Sequence, residues 1–287
     1  MSDKNTVFKQ RLTLNIQGRL LDLSKPAIMG ILNLTPDSFY QHSRKFSLDE
    51  ALKQTEHMLS EGADFIDIGA YSSRPQAEHI STEEELNRLI PAFKAIVHEF
   101  PQALISIDTF RTEVARVALM EGAHLINDIS GGEMDRGMFE IAAHFKAPYI
   151  LMHMKGTPQN MNQQITYRDF FSEIFDYFLL KIKQLRELGV EDIIIDPGFG
   201  FAKTESQNYQ LLNRMEELKL LGYPLLVGVS RKSMIHKLLG ISPEEALNGT
   251  TVVNTIALMK GANILRVHDV KAAVEAVQIT KKLKEVS

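Results

Sequence analysis

The feature that most constrains the fold of this chain is a repeated pair of segments, an apolar run followed by an amphipathic helical pattern. The apolar runs are AIMGILNL, DFIDIGA, LISIDT, HLINDIS, PYILMHM, DIIIDPG, PLLVGVS and ILRVHD. These runs are too apolar to have one face in water, which is typical of parallel strands that are covered on both faces. The repeat therefore predicts an α/β fold in which each strand is followed by its own helix.

The number of repeats favours a closed barrel over an open sheet. The chain has 287 residues, and about eight strand–helix units in about 250 residues are typical of a (β/α)8 TIM barrel. No Gly/Ser-rich linker separates the units, so we predict one domain that spans residues 1–287. The alternative is an open, doubly wound sheet. It would carry a G-x-G-x-x-G dinucleotide loop after the first strand, and residues 31–39 contain no glycine.

Two shorter patterns predict local structure. Apolar and polar residues alternate from Leu12 to Leu23 around Gln17–Gly18, which predicts that residues 1–25 form a short N-terminal β-hairpin extension. Thr82 and Glu85 precede an apolar helical pattern with the spacing of a capping box, so we expect the second helix to begin there.

Composition excludes several classes of function. Apolar residues make up 44% and charged residues 24% of the chain, as in soluble globular proteins. A formal net charge of -4 with interspersed signs argues against nucleic acid as a partner. No segment approaches the roughly 18 apolar residues of a membrane span, so we expect no membrane partner and a cytoplasmic location. The chain has no cysteine, which excludes disulfides, thiolate nucleophiles and zinc-thiolate sites.

Nearly every predicted strand ends in a residue capable of chemistry. In a (β/α)8 barrel the C-terminal strand ends surround the active site, so these residues are expected to form one ring. They are Asn33, Asp67, Asp108, Asn127, His153, Asp196, Arg231–Lys232, and Arg266 with His268. An Asp or Asn after a strand also caps helices or stabilises turns. For His153 the favoured interpretation is a histidine packed near the rim.

Three strings favour a binding site at this ring. In IIIDPGFGF, Asp196 is followed by two glycines that let backbone or ligand approach closely. In GVSRKS, a buried Lys232 would need an anionic or carbonyl partner. In LRVHD, alternation sends Arg266 and His268 to the same side of the strand, as a two-pronged anion clamp. Together they predict a ligand with a flat, hydrogen-bonding head and a phosphorylated tail.

Seven motifs occur in the order NLTPDSF, DIGAYSSRP, SIDT, NDISGG, IDPGFGFAK, GVSRKS and RVH. Over these motifs, which span nearly the whole chain, the sequence resembles the dihydropteroate synthase family of pterin-binding enzymes. The resemblance implies a transferase of folate biosynthesis on a (β/α)8 barrel. Such an enzyme condenses (7,8-dihydropterin-6-yl)methyl diphosphate with 4-aminobenzoate to give 7,8-dihydropteroate and diphosphate.

The resemblance also implies a role for individual residues. Those expected to be catalytic are Asp37, Asp108, Lys232, Arg266 and His268. Those expected to bind the pterin diphosphate are Ser73, Asp108, Asn127, Asp196, Phe201, Lys232, Arg266, Val267 and His268. Those expected to bind 4-aminobenzoate are Phe39, Ser73, Arg74, Pro75 and Ser233. The expected cofactor is Mg²⁺, with Asn33 as its protein ligand.

The mechanism implied by the resemblance is a dissociative substitution at the pterin methylene. The C–O bond to diphosphate breaks first, and the arylamine captures the resulting cation. Mg²⁺, Arg266 and His268 are expected to neutralise the leaving group, while Asp108 favours the cation. The loop that carries Asp37 is expected to exclude water. The resemblance further implies competition by sulfonamides and a homodimer formed through helices near the C-terminal end.

Two departures from the family pattern keep one alternative open, and the similar pterin-binding carboxylates of a related enzyme keep another open. Gln41 stands where an acidic residue is usual, and the second loop ends in Gln76 where the family commonly has glycine. One alternative is therefore a weakened paralogue that binds pterin. The other is a pterin-binding methyltransferase, which uses a methyl-tetrahydrofolate and a corrinoid partner and has no diphosphate to bind.

Overall fold

The central element of the computed structural model is a barrel of parallel strands, preceded by a small antiparallel hairpin. The structure describes residues 10–34, 44–72 and 79–286. In these ranges the strands are β1 (Thr13–Ile16), β2 (Arg19–Asp22), β3 (Ala27–Asn33), β4 (Phe65–Gly69), β5 (Leu104–Asp108), β6 (Leu125–Asp128), β7 (Tyr149–Met152), β8 (Ile193–Asp196), β9 (Leu226–Val227) and β10 (Ile264–Val267).

Helices alternate with the barrel strands, as the sequence repeat predicts. In the described part of the chain the α-helices are α1 (Arg44–Ser60), α2 (Thr82–Glu99), α3 (Thr112–Met120), α4 (Met138–Phe145), α5 (Phe170–Glu187), α6 (Glu205–Arg214), α7 (Ser233–Leu239), α8 (Leu247–Met259) and α9 (Val270–Glu285). Two 3₁₀ helices cover Met161–Gln163 and Met215–Leu221. No helix among the described residues is both long enough and apolar enough to cross a membrane.

The strand order confirms the (β/α)8 barrel. The eight-stranded sheet runs β8-β7-β6-β5-β4-β3-β10-β9, and every neighbouring pair is parallel. A parallel bridge between Ile195 and Leu225 then joins β8 to the segment just before β9 and closes the ring. The alternative of an open, doubly wound sheet is wrong, because consecutive strands are neighbours around the ring and the order never reverses.

An apolar layer fills the N-terminal half of the barrel. Each barrel strand contributes to it, through Met29, Phe65, Leu104, Leu125, Ile150, Ile194, Leu226 and Ile264. Leu14, Ile16 and Leu23 from the hairpin segment belong to the same cluster, so the hairpin covers this end of the barrel. The predicted hairpin is confirmed. Its turn residues, Gln17 and Gly18, have φ of 51° and 88°, as a two-residue turn with left-handed conformations requires.

The start of α2 differs from the predicted capping box. Oγ of Ser81, not Thr82, accepts a hydrogen bond from the Glu84 backbone N–H at 3.1 Å, so Ser81 is the N-cap. Glu85 is fully buried instead of reaching back to the cap. It forms a salt bridge with Arg111 and accepts a hydrogen bond from Oγ1 of Thr109 at 2.8 Å. The predicted box is wrong because burial turns Glu85 toward the segment after β5.

Arg111 extends this buried ion pair to the chain that precedes α2. Its guanidinium donates to the carbonyls of Ile80 and Ser81, and its Cζ lies 5.3 Å from the ring centroid of Tyr71. One buried cation thus fixes the start of α2 relative to the ends of β4 and β5.

We expect the two neighbouring glutamates of α2 to differ strongly in their effect on stability. Glu85→Ala leaves the Arg111 cation buried without its partner and should lower the free energy of unfolding by about 3–5 kcal/mol. Glu84→Ala is the matched control, because Glu84 is 47% exposed and pairs with Arg88 at the surface; it should cost less than about 1 kcal/mol. Urea denaturation measures both. Equal losses would contradict the role given to the buried pair.

Candidate active site

Four polar side chains, two of them buried and two about a fifth exposed, form a cluster at the C-terminal ends of the barrel strands. Nε of Arg266 donates to Oδ2 of Asp67 at 2.6 Å, and Nη2 of Arg266 donates to Oδ2 of Asp108 at 2.5 Å. Nδ2 of Asn127 donates to the same Asp67 oxygen at 2.9 Å. This Arg266 cluster connects β4, β5, β6 and β10, which lie far apart in the sequence.

The charges of the Arg266 cluster shift one another's pKa values. Burial disfavours the charged guanidinium of Arg266, but Asp67 and Asp108 outweigh burial and raise its pKa. Burial raises the pKa of Asp108 to about 7; Arg266 opposes this shift and the charge of Asp67 adds to it. Asp108 is therefore a carboxyl group whose protonation changes near neutral pH.

A second carboxylate lies beside a lysine on the other side of the barrel mouth. Asp196 is 6% exposed, and its Oδ1 accepts a hydrogen bond from the backbone N–H of Gly198 at 2.8 Å. Burial raises the pKa of Asp196, while Lys232, the Gly198 N–H and Arg266 oppose the rise. Burial also lowers the pKa of Lys232 to about 8, against the opposing effect of Asp196.

Lys232 has the carbonyl partner that its burial predicts. Its Nζ donates to the carbonyl oxygen of Phe199 and lies 4.6 Å from the ring centroid of Phe201. Lys232 is also the N-cap residue of α7, which places its backbone at the first turn of that helix. The lysine thus connects the loop after β8 with the start of α7.

The structure places the two members of the predicted anion clamp in different environments. Arg266 is held by two carboxylates, and these bonds use two of the five N–H groups of a guanidinium. His268 is exposed, and its Nδ1 lies 3.0 Å from Oγ of Ser230. Arg231, another member of the predicted ring, forms a bidentate pair with Asp269 at 3.0 and 2.6 Å. Anion binding by Arg266 and His268 stays a prediction.

The remaining predicted residues are distributed unevenly around the site. Asn33 is half-buried at the end of β3, and Ser233 is exposed at the start of α7. The side chain of Val267 is buried among the residues that face the helices, so it can offer only its backbone to a ligand in the barrel. Predicted residues that lie outside the described ranges are Asp37, Phe39, Ser73, Arg74 and Pro75, together with the loop departures Gln41 and Gln76.

An apolar cluster borders the charged groups at the barrel mouth. Its buried members include Tyr71, Phe110, Ile129, Met152 and Met154, and Phe201 packs against it. Aromatic and thioether side chains of this kind form flexible, polarizable walls for a flat ring. The site therefore combines an apolar wall with carboxylate, amide and ammonium groups.

Two buried residues of the site were not assigned a role from the sequence. Asp67 was placed in the ring by its position, and the structure makes it the acceptor for both Arg266 and Asn127. Lys203 is 8% exposed and lies 3.0 Å from Nδ1 of His153, which is itself buried, as the favoured interpretation of His153 predicts. The sequence signal for Lys203 is a lysine in an otherwise apolar, glycine-containing loop.

This arrangement fits recognition of a flat, nitrogen-rich ligand that carries an anion. Carboxylates accept paired N–H donors from a ring edge, and Asn127 and Lys232 supply an amide and an ammonium donor. Arg266 adjoins Asp108 by a direct hydrogen bond, so a cation lies next to the ring-edge acceptors.

Comparison with known proteins shows which family the chain belongs to. The model of the pterin binding enzyme family matches residues 29–268. The dihydropteroate synthase of Escherichia coli (strain K12) is 46% identical over 267 residues, which cover 92% of this chain and 94% of that protein.

Solved structures agree with the sequence match. The Yersinia pestis dihydropteroate synthase in a sulfonamide drug complex has a TM-score of 0.89 and 42% identity, and the match covers 95% of this chain and 99% of that one. The Xanthomonas albilineans dihydropteroate synthase in complex with 7,8-dihydropteroate has a TM-score of 0.85 and 35% identity, with 95% and 98% coverage.

We expect the carboxyl group of Asp108 to titrate near pH 7 in the free protein. Replacing Asp67 with Asn removes a neighbouring negative charge and frees Arg266 for Asp108, so the midpoint should move to lower pH. Carboxyl ¹³C NMR with labelled aspartate measures both midpoints. Asp22 is the internal control, because hydrogen bonds from Ser24 lower its pKa. An Asp108 signal that stays ionised down to pH 5 in the parent protein would contradict the expected shift.

Proposed function

We infer that this chain, which belongs to the pterin-binding enzyme family, acts as a dihydropteroate synthase. It condenses (7,8-dihydropterin-6-yl)methyl diphosphate with 4-aminobenzoate to give 7,8-dihydropteroate and diphosphate, a step of folate biosynthesis. The observation that carries this conclusion is 46% identity to such a synthase over nearly the whole chain. Sulfonamides compete with 4-aminobenzoate at such a site, and one structural relative is a sulfonamide drug complex.

For the pterin ring we propose a site made of Asp108, Asn127, Asp196 and Lys232. The two carboxylates can accept paired hydrogen bonds from the amino-pyrimidine edge of the ring, and Lys232 can donate to its carbonyl. Asp196 and Lys232 both contact the loop after β8, through the Gly198 N–H and the Phe199 carbonyl, which supports this grouping. Phe201 and Met152 supply the apolar wall.

For the chemical step we propose a dissociative substitution. The bond between the pterin methylene and the diphosphate oxygen breaks, and its electron pair leaves with the diphosphate. The 4-aminobenzoate nitrogen then forms the new C–N bond and loses a proton to solvent. Arg266 and His268 stabilise the charge that develops on the leaving group, and ionised Asp108 favours the cationic ring. Asp37, on the first loop, helps to exclude water.

We propose Mg²⁺ as the cofactor, with Asn33 as its protein ligand. The donor at the end of β3 is a half-buried amide oxygen, a hard ligand that fits Mg²⁺. In the described ranges no group of three His, Cys, Asp or Glu residues could hold a metal ion. This donor set suits a cation that takes most of its ligands from diphosphate and water. When bound, Mg²⁺ would neutralise diphosphate charge.

For 4-aminobenzoate we propose Phe39, Ser73, Arg74, Pro75 and Ser233. Ser233 lies at the first position of α7, directly after Lys232, so a substrate at its hydroxyl would lie next to the proposed ring site.

One assay tests the proposed function and both alternatives. The purified protein is mixed with Mg²⁺, the pterin diphosphate and 4-aminobenzoate, and dihydropteroate is measured by chromatography. We expect product only when all substrates are present, and competition by a sulfonamide. Pterin binding without product would indicate the weakened paralogue. Methyl transfer from methyl-tetrahydrofolate, with the absorbance band of a copurified corrinoid partner, would indicate the methyltransferase.

In the folded fraction of Arg266→Ala, we expect kcat to fall more than KM rises. Leaving-group charge grows as the C–O bond breaks, so the guanidinium should bind the transition state more tightly than the substrate. Loss of about 1.5–3 kcal/mol corresponds to a kcat that falls by about 10- to 150-fold. Arg214→Ala is the control, because Arg214 pairs with Glu217 on the surface. If KM alone rises in Arg266→Ala, the proposed role of Arg266 in the chemical step is wrong.

We also propose that the protein is a homodimer and works in the cytoplasm. The support for a dimer is an apolar surface on α7, α8 and α9, which pack in sequence. Its exposed members are Leu238, Leu239, Val252, Ile256, Met259, Ile279 and Leu283. Exposed apolar side chains that are grouped on neighbouring helices are typical of protein interfaces. The support for the location is the composition, in which 24% of the residues are charged and the signs are interspersed.

We expect a charge on this surface to break the dimer. Val252→Lys, at a side chain that is 53% exposed, should convert the protein to a monomer in sedimentation velocity at micromolar concentration. Leu180→Lys is the control, because Leu180 is similarly exposed, at 56%, but lies on α5. A parent protein that sediments as a monomer would refute the homodimer.

A further inference from the structure

Lys203 is a buried lysine that the reaction described above does not use; burial lowers its pKa to about 7, and Asp196 opposes that shift. Its Nζ lies 2.9 Å from the carbonyl oxygen of Gly198, 3.0 Å from the carbonyl oxygen of Phe201 and 3.0 Å from Nδ1 of His153. The carbonyl oxygen of His153 is a fourth, more distant neighbour at 3.3 Å. The three N–H groups of an ammonium match the three nearest acceptors.

These acceptors come from two different segments of the barrel mouth. His153 directly follows β7, whereas Gly198 and Phe201 belong to the loop that follows β8. The two segments approach closely, because a Cβ atom added at Gly198 would lie 2.0 Å from the carbonyl oxygen of His153. The ammonium of Lys203 lies within 3.3 Å of the carbonyl oxygens of both His153 and Gly198 and attracts both.

The same loop carries the groups proposed to contact the pterin ring. Gly198 donates its N–H to Oδ1 of Asp196, and Phe201 packs against the apolar wall. Other side-chain contacts of the loop run from Lys232 to the Phe199 carbonyl, from the Gly200 N–H to Oδ1 of Asn208 at 2.7 Å and from the Tyr167 hydroxyl to the Ala202 carbonyl at 2.9 Å. Lys232 and Asn208 follow the loop in sequence, and Tyr167 lies in the segment between β7 and β8. Lys203 ties the loop to the residue that directly follows β7.

The chemistry of His153 fits this arrangement. Burial lowers the pKa of His153 well below its usual value, and the nearby Lys203 and Lys155 lower it further. A neutral imidazole can accept the Lys203 hydrogen bond at Nδ1 while it carries its proton on Nε2. The ring also packs edge-to-face on Tyr177, with centroids 4.9 Å apart, so its orientation is fixed.

We propose that Lys203 is a positioning residue for pterin recognition: its ammonium ties the loop after β8 to the end of β7 and thereby sets the positions of Asp196 and Phe201. This inference rests on the proposed function, because it assumes that Asp196 contacts the pterin ring. It predicts that loss of the ammonium weakens binding of the ring much more than binding of the diphosphate group, whose proposed ligands lie on other strands.

The first test compares two ligands that each represent one end of the substrate. Titration calorimetry is carried out with 6-hydroxymethylpterin and, separately, with inorganic pyrophosphate plus Mg²⁺. In Lys203→Met, a chain of similar length without the charge, ring affinity should fall by about tenfold or more. Pyrophosphate affinity should stay within about twofold of the parent value. Lys94→Met is the control, because Lys94 is 53% exposed and pairs with Glu121 on the surface.

A milder variant covers the case in which Lys203→Met does not fold. His153→Phe keeps the aromatic packing on Tyr177 and removes one acceptor of the ammonium, so it should cause a smaller loss in the same direction. Parent-like ring affinity in either folded variant would overturn the positioning role. An equal loss for both ligands would also overturn it, since that pattern indicates general damage.

A chemical rescue distinguishes the charge from the space that it occupies. Because the chain has no cysteine, Lys203→Cys introduces a single thiol that can be alkylated in denaturant before refolding. Aminoethylation rebuilds a lysine analogue and should restore ring affinity to within about threefold of a parent sample refolded in the same way. Propylation gives an uncharged group of the same shape and should not. Equal ring affinity after both treatments would show that the ammonium is not required.

Measurements on the parent protein distinguish failure of the proposed function from failure of the positioning role. If the parent itself binds no pterin ring and makes no dihydropteroate, the proposed function is wrong. If the parent does both and the Lys203 variants bind the ring equally well, only the positioning role is wrong.

Discussion

The shared salt bridge of Arg266 is the interaction on which the rest of the site depends. Asp67 and Asp108 both bind this guanidinium, and Asn127 adds a hydrogen bond to Asp67. Burying such charges is costly unless every partner is in place, because the interior cannot replace water as a solvent. The partners come from four strands, so the cluster can form only when the last strand, β10, has paired with the first barrel strand, β3. Closure of the sheet between its first and last strands and assembly of the site are therefore coupled.

Closure in turn rests on the apolar layer beneath the cluster. The N-terminal half of each strand contributes an aliphatic or aromatic side chain there, and the hairpin covers its open end. The polar C-terminal half of the barrel contains buried polar atoms whose desolvation costs free energy, and burial of the apolar layer offsets that cost. Among the described residues, Oδ1 of Asp67 and Oγ of Ser106 are buried without a hydrogen-bond partner, and each such group costs about 1–3 kcal/mol. Stability is concentrated at one end of the barrel and ligand recognition at the other.

The sequence predicted the parts of the structure that depend on local patterns. Apolar runs with intervening helices predicted the barrel, alternation around Gln17–Gly18 predicted the hairpin, and strand ends identified the ring of polar residues. Pairings within that ring could not be predicted in this way. Arg266 lies 199 residues from Asp67 and 158 from Asp108, and strand alternation gives the side of the strand but not the partner. Glu85 was misplaced for the same reason: its buried partner, Arg111, is 26 residues away.

The pairing of Arg266 also constrains how a substrate can bind. In the free protein the guanidinium is already held by carboxylates, so an anion must draw it away from Asp108 or share it. An anion alone would draw the positive charge of Arg266 away from Asp108, and the Asp108 carboxylate would then lie beside Asp67 without its cation, which is unfavourable. A pterin diphosphate differs, because its ring can donate N–H groups to Asp108 while its tail accepts from Arg266. One ligand with both ends thus replaces both halves of the existing ion pair, and neither charge is left uncompensated. This exchange favours the whole substrate over either fragment, and it makes the link between ring and tail part of the recognition.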